Sequence, residues 1–325
     1  MNAATAHPAR APRRRRSLGA PAVDAATVGA QPRGAPSAPP APRPLLGLAL
    51  MLGGMVVLPV QDGLAKYLSQ TQPVDVVVWA RYTFHLLFLL PLLALRVKRA
   101  DLVPKRPGFQ VLRAVLMLVS SLLFFGALAR LPLVDVLALF FVSPLVVTAL
   151  VPVLLRERIG WRRVLAVVVG FVGVLVLLRP GLGAFEPFAL VGLAAGVVHG
   201  VYLLVTRKLA GTAPPLVTLT YSALFGAVLL SAWVLPTWAA PSPRELLVMV
   251  ALGAAATLGH YLVVKAFDHA PAAWLAPVGF AEIVGATLVG FVAFGDLPDA
   301  VSWLGIAVIV GSGLYISLRE RRLGA

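Results

Sequence analysis

Ten apolar runs, separated by short polar breaks, fill the chain from Leu45 to its C-terminal end and leave little choice of fold. They are Leu45–Leu64, Val74–Leu95, Gly108–Leu128, Leu133–Leu155, Val164–Leu178, Pro187–Val205, Leu216–Leu235, Leu246–Phe267, Ala272–Phe294 and Val301–Leu318. Most approach the ~20 residues that carry a helix across ~30 Å of hydrocarbon, where every backbone polar group must be satisfied within its own segment. The fifth and tenth are short and need flanking residues. Membrane β-barrels have alternating segments of about ten residues, which these runs are not. The expected fold is all-α: a polytopic membrane protein with ten transmembrane helices.

Composition supports lipid as the solvent. Of the 325 residues 59% are hydrophobic and 13% charged, whereas a soluble domain carries ~25% charged residues. A net charge of +15 invites a nucleic-acid reading, but no aromatic and basic interleaving or known module accompanies it. No nucleic-acid partner is expected. Cysteine is absent, which excludes disulfides, zinc–thiolate sites, iron–sulfur clusters and cysteine nucleophiles. No cofactor is called for.

Residues 1–43 are rich in Ala, Pro and Arg and read as a disordered, solvated basic tail, with no apolar core of a secretory signal. Such an arm can also touch anionic headgroups, so membrane lipids are expected partners. With the N-terminus inside, the tail and the inner connections hold twenty-one Lys and Arg, against four in the outer ones. That bias puts both termini in the cytoplasm and the chain in the inner membrane, crossing it many times.

Sliding the chain by 139 residues lays Ala127–Pro132 on Ala266–Pro271, and Glu157 on Asp296. Both halves then run in the same order: helix, proline, long apolar helix, acidic residue, final helix. We therefore divide the chain into a tail (1–43), a first repeat (44–180) and a second (181–325). Five spans per repeat is an odd number, so the second copy crosses the membrane in the opposite sense. Inverted repeats of this kind build alternating-access transporters, with the site between the halves at the midplane.

Ionisable residues deep in the spans are candidate functional groups, because burial there costs at least ~2.5 kcal/mol. Glu282, in the middle of the ninth span, is the sharpest: a carrier of a coupling proton, a counter-charge to a cationic substrate, or a static partner of Lys265 or Arg81. Arg81 and His85 share a face of the second span at i, i+4 spacing. The guanidinium fork of Arg81 suits a carboxylate or phosphate, unless the side chain snorkels to the outer headgroups beside Trp79. His85 reads as a proton relay or a packing hydrogen bond. Asp62 and Lys66, also i, i+4, are expected to form a local salt bridge with a structural or gating role, or to meet substrate. His260 and His199 face the cavity or pack. Pro59, Pro144 and Pro277 interrupt the first, fourth and ninth spans and are expected hinges. Glu157, among arginines, is expected to cap the fifth helix. Trp233 and Trp238 suit an outer interfacial belt.

Several segments carry a resemblance. They are Trp79-Ala80-Arg81, Phe125-Gly126-Ala127-Leu128-Ala129-Arg130-Leu131-Pro132, Ser143-Pro144-Leu145 and Leu155-Arg156-Glu157-Arg158-Ile159. Gly170 with Gly173, Phe294-Gly295-Asp296 and Gly305 with Gly311 complete the set. Together, over residues 45–320, they resemble the drug/metabolite transporter superfamily in its ten-helix EamA-type branch. The chain departs from that pattern with Asp296 in place of the usual Glu and with an acid at 282. The resemblance implies a secondary carrier of a small-molecule substrate, an exporter; protons as a coupling partner follow from Glu282 as a candidate proton carrier, and the oligomeric state is left open. Asp62-Gly63-Leu64-Ala65-Lys66 is similar to members described as carrying amino acids, amines, S-adenosylmethionine or riboflavin. The rival class is an intramembrane enzyme acting on a lipid-like substrate, which would need clustered metal-binding acids or histidines; the deep acids here are scattered and His-Glu-x-x-His is absent.

Overall fold

A computed structural model of the chain describes residues 44–154, 160–179, 186–209 and 211–323. The basic tail and Glu157 lie outside the described residues. The first half contains α1 (Pro44–Leu68), α2 (Val74–Arg96), α3 (Pro107–Leu128), α4 (Leu133–Phe140), α5 (Ser143–Leu154) and α6 (Trp161–Leu178). The second contains α7 (Pro187–Lys208), α8 (Pro215–Val234), α9 (Pro243–Phe267), α10 (Ala272–Gly279), α11 (Glu282–Phe294) and α12 (Ala300–Leu323). Among these residues nine segments are long and apolar enough to cross a membrane, with α4–α5 and α10–α11 each counting as one, and Val164–Leu178 of α6 is a shorter tenth. The tenth span, expected to be short, is a helix of 24 residues.

Local chemistry sets the helix starts. Proline occupies the first turn of α1, α3, α7, α8 and α9, where its missing N–H is no loss. At α9 the Ser242 hydroxyl accepts from Glu245 N (3.3 Å) while the Glu245 carboxylate accepts from Ser242 N (2.8 Å), a reciprocal cap. The other oxygen of Glu245 accepts from Thr71 (2.7 Å) and Gln72 (2.8 Å), tying the α1–α2 connection to α9.

The two halves exchange helices reciprocally. The first span of each packs on the third span of the other (α1 on α9, α7 on α3), second packs on second (α2 on α8), and fifth on fifth (α6 on α12). The first span also meets the broken fourth span of the other half, α1 on α10 and α11, α7 on α4 and α5. This is the pattern that two inverted five-helix repeats require. Large apolar side chains point outward uncovered, with Trp233 71% and Val292 74% exposed, which only a lipid surround makes favourable. Inside, Leu68, Leu128, Leu133, Leu137, Leu275 and Ile309 are fully buried.

The breaks in the fourth and ninth spans coincide under the repeat. Helices α4 and α10 both have eight residues, and α5 and α11 begin at Ser143 and Glu282, both pairs offset by 139. Between the half-helices the chain closes i→i+3 turns, Val142 N on Leu139 O (3.1 Å) and Ala281 N on Val278 O (2.9 Å). Pro144 sits in the first turn of α5, just past its break, and Pro277 inside α10, just before its own. Pro59 differs from expectation: α1 runs through it without interruption. The carbonyl of Met55 that it frees is covered by Gly285, where a β-carbon would stand 3.0 Å from that oxygen and 2.8 Å from Pro59 Cγ. The repeat-related contact swaps the two sizes. There Gly200 on α7 meets Val146 on α5, a β-carbon at 200 falling 2.8 Å from Val146 Cβ. Each half thus sets a glycine against a bulkier residue, on opposite partners.

Candidate functional site

Between the halves lies a cavity of about 290 Å³ to which α1, α2, α3, α4, α7, α9 and α11 all contribute. Its polar lining is Gln61 and Asp62 from α1, Arg81 from α2, Ser120 and Ser121 from α3, His199 and Tyr202 from α7, His260 from α9 and Glu282 from α11. Phe124, Phe125 and Phe140 supply aromatic walls. Five residues singled out in the sequence, Asp62, Arg81, His199, His260 and Glu282, are therefore brought together. They come from five helices and from both halves.

Glu282 occupies the first turn of α11, at the break in the ninth span. A negative charge at a helix N-terminus lies at the positive end of the helix dipole, which offsets part of the cost of placing it in the membrane, although the first-turn N–H groups of Ile283, Val284 and Gly285 are already bonded to the carbonyl oxygens of Phe280 and Ala281 (3.2, 3.0 and 3.4 Å). Among the described residues its carboxyl makes no hydrogen bond or ion pair. Neither static partner weighed for it is in place, since Lys265 pairs with Asp268 (2.7 Å) and Arg81 with neutral groups.

Arg81 is only 7% exposed and does not snorkel. Its Nε donates to Gln61 Oε1 (3.3 Å) and its Nη1 lies 3.5 Å from Ser121 Oγ, a hydroxyl also 3.1 Å from that of Tyr82. The rings of Tyr82 and Phe125 flank the guanidinium at 5.2 and 5.8 Å. Gln61 in turn donates from Nε2 to Asp62 Oδ1 (2.7 Å), so a neutral amide stands between the arginine and the carboxylate. Trp79 packs within the bundle end: its Nε1 donates to Ser231 Oγ (2.8 Å) and its ring meets Trp238 edge-on at 4.7 Å.

The histidines divide. His260 Nδ1 lies 2.8 Å from the Ala256 carbonyl oxygen, which can only accept, so Nδ1 carries the hydrogen and Nε2 is the acceptor. His199 is held between the rings of Phe140 (4.4 Å) and Tyr202 (5.0 Å), its buried Nδ1 without a partner among the described residues. His85 does not line the cavity. It sits behind His260, ring centroids 5.6 Å apart, with Nδ1 3.3 Å from Thr257 Oγ1.

Lys66 also stands away from the cavity, and the local bridge to Asp62 does not form. Its Nζ donates to Asp296 Oδ2 (2.7 Å) and to the Leu131 carbonyl oxygen (2.8 Å), joining α1 to the α11–α12 and α3–α4 connections. The i, i+4 spacing registered proximity along one helix and nothing of a partner 230 residues on. A sixth polar centre was missed altogether. Arg113, in α3 and 4% exposed, donates to Thr206 Oγ1 (3.0 Å), Ser222 Oγ (2.6 Å), the Thr218 carbonyl oxygen (3.1 Å) and the Tyr202 hydroxyl. A lone arginine six residues inside an apolar helix was the signal that should have found it. Through Tyr202 it braces one wall of the cavity.

Such an enclosure, with two carboxyl groups, one guanidinium, histidine acceptors and aromatic faces, can hold a small molecule that is polar, partly cationic and ring-bearing. Comparison with known proteins agrees with the architecture. An S-adenosylmethionine uptake transporter of Rickettsia prowazekii is 27% identical over 278 residues, spanning 86% of this chain and 94% of its own. A riboflavin transporter of Vibrio cholerae is 28% identical over 283 residues, 86% of this chain and 95% of its own. A solved crystal structure shares the fold with a TM-score of 0.60 at 21% identity, over 86% of this chain and 98% of that one. The sequence profile of the EamA-like transporter family matches twice, over residues 45–179 and 187–318, which are the two halves that pack reciprocally around the cavity. The chain is a multi-pass membrane transporter, not an enzyme, and it belongs to the EamA-like transporter family.

Proposed function

We propose that the chain is a secondary carrier that moves a small, polar, ring-bearing metabolite with a cationic group by rocking its two halves about the central cavity. The observation that carries this reading is the cavity itself: Asp62 and Glu282 from opposite halves, Arg81 and a set of aromatic walls around one space of about 290 Å³. Two carboxyl groups against one guanidinium favour a zwitterion with a surplus positive charge, or an amine, over a simple anion. Phe124 lines the cavity with ring surface that a planar group can meet, while Phe140 and Tyr202 hold His199 between them as part of the same wall. The relatives named for S-adenosylmethionine and riboflavin both handle planar heterocycles, in keeping with those walls.

Glu282 we assign to coupling, as the group that takes up and releases a proton, with Asp62 meeting the cationic part of the substrate. In the same reading the protein sits in the inner membrane with the arginine-rich end of the bundle and both termini on the cytoplasmic side, which the distribution of Lys and Arg supports. The test is counterflow in proteoliposomes, with purified protein and labelled S-adenosylmethionine, riboflavin and a panel of amino acids and amines. Saturable exchange of S-adenosylmethionine or a ring-bearing amine, with proton-driven accumulation lost in Glu282→Gln while exchange persists, is the expected result; exchange of riboflavin alone, which has no cationic group, overturns the cationic part of the reading. No exchange of any compound overturns the substrate class, and unchanged accumulation in Glu282→Gln removes the carboxyl from coupling.

A further inference from the structure

Outside the cavity, the seam between the two fifth spans is asymmetric along its length. Helices α6 and α12 touch at one end, where a β-carbon on Gly305 would stand 3.1 Å from the Gly173 carbonyl oxygen and one on Gly173 would stand 2.9 Å from Val308. Toward the arginine-rich end the helices stay in contact on their inner side, where a β-carbon on Gly170 would stand 2.5 Å from Ser312 Oγ, and only their outer faces part. There Gly311 has nothing within 4 Å of a β-carbon position, and a groove of about 470 Å³ opens outward between the helices. Its floor is small (Ala166, Ala307, Gly311), and its walls, Leu165, Val169 and Tyr315, are 53%, 43% and 46% exposed. From Trp161 to Val169 it runs eight residues, about 12 Å of helix. That approaches the ~15 Å of one leaflet's hydrocarbon.

The mouth of the groove is cationic. Arg162 lines it and lies over the Trp161 ring at 5.4 Å, an aromatic and arginine pair suited to headgroup depth. Arg319 crosses from α12 toward the start of α6, its Nη2 3.7 Å from the β-carbon position of Gly160. Its Nη1 is buried and has no hydrogen-bond partner among the described residues. That nitrogen is closed off by the chain itself, so a phosphate at this height meets Arg162 and the accessible part of the half-buried Arg319, and two guanidinium groups select a headgroup with net negative charge over one carrying its own ammonium.

We propose that this wedge is a binding site for one anionic phospholipid, an acyl chain filling the space over Gly311 and the phosphate meeting Arg162 and Arg319. The site is separate from the transport cavity and does not rest on the substrate reading. Full-length protein in detergent is incubated with dioleoylphosphatidylglycerol or with dioleoylphosphatidylcholine, and bound lipid is counted by native mass spectrometry. Wild type is expected to retain one phosphatidylglycerol at least tenfold better than phosphatidylcholine. Gly311→Phe, which fills the groove from a position facing open space, is expected to lose it. The Arg162→Gln and Arg319→Gln double variant is expected to lose at least fivefold of the phosphatidylglycerol signal with its circular dichroism unchanged. Equal retention of the two lipids by wild type, or wild-type retention by both variants, overturns the proposal. So does a wild-type dimer that Gly311→Phe dissolves, since the wedge would then hold a second copy of the chain.

Discussion

The ammonium of Lys66 lies 2.7 Å from the carboxylate of Asp296, pinning the first helix of one half to the last connection of the other. Leu131 adds its carbonyl oxygen from the α3–α4 connection at 2.8 Å, so one side chain ties three segments across the end opposite the arginine-rich one. A pair at 15% and 31% exposure is shielded enough from water to hold, yet wet enough to open.

Removing that tie should therefore open the cavity to this end. The chain has no cysteine, so Ser121→Cys provides a single thiol in the cavity lining on a clean background. Adding Lys66→Met is expected to raise its labelling rate by a membrane-impermeant maleimide at least fivefold. An unchanged rate would show that the bridge closes nothing.

Arg81 uses the geometry of its fork, one edge on Gln61 and one nitrogen on Ser121. Lysine keeps the charge but cannot span both. Arg81→Lys should weaken substrate binding by at least tenfold, about 1.4 kcal/mol, while the thermal unfolding temperature moves little. Isothermal titration on the two proteins reads the ratio, and equal affinity would assign the arginine to packing alone.

Arg113 concentrates more polar bonding than any residue in the cavity lining, across α3, α7 and α8. Truncation to alanine leaves the Tyr202 and Ser222 hydroxyls without their donor in an apolar interior, and should destabilise the fold by about 3 kcal/mol. Ser222→Ala removes one of the four bonds from Arg113, together with the longer bond from Ser222 Oγ to the Thr218 carbonyl oxygen (3.2 Å), and should cost about 1 kcal/mol. Denaturation in mild detergent gives both values; the two variants falling together would mean that the other donors contribute nothing.

At the end of α6 the backbone of Arg179 takes a left-handed turn (φ 48°, ψ 50°), an unfavourable conformation for a residue with a β-carbon. Its guanidinium donates to Asp299 and to Ser302 Oγ (3.2 Å), which holds α6 to the start of α12. Arg179→Gly should be more stable than Arg179→Ala by about 1 kcal/mol, since both lose the bonds and only glycine relieves the turn. The hydrogen bond from Arg179 holds the Asp299 carboxyl well below the usual carboxylate range. A depressed folded-state value means that the contribution is complete above the unfolded value near pH 4 and is lost only as acid drives the pH below it. The melting difference between wild type and Asp299→Asn should be the same at pH 5 and pH 8, and a difference that shrinks at pH 5 would contradict this.

What the sequence disclosed and what it hid follow from range. Apolar length exposed the spans, because lipid demands it of each segment on its own. The 139-residue offset is the same one that aligns Ser143 with Glu282 at the two half-helix starts. Position inside an apolar run pointed to Glu282, Arg81, His199 and His260, since an ionisable group there needs a polar recess, and Asp62 drew notice through its i, i+4 spacing to Lys66. Partners across the bundle were invisible. Lys66 turned to Asp296 instead of Asp62, and Pro59 caused no break because Gly285 from the other half covers the carbonyl it freed. His85 shares a face with Arg81, but α9 fills the space in front of it with Thr257 and His260.

Blocking the cavity between the halves decides whether substrate sits there. Ser121 lines the cavity beside Arg81, and phenylalanine in its place would fill much of the volume. Whichever compound of the panel the wild-type protein exchanges should bind purified Ser121→Phe at least thirtyfold more weakly, with helicity unchanged by circular dichroism. Undiminished binding to the blocked protein would place the substrate elsewhere and contradict the account.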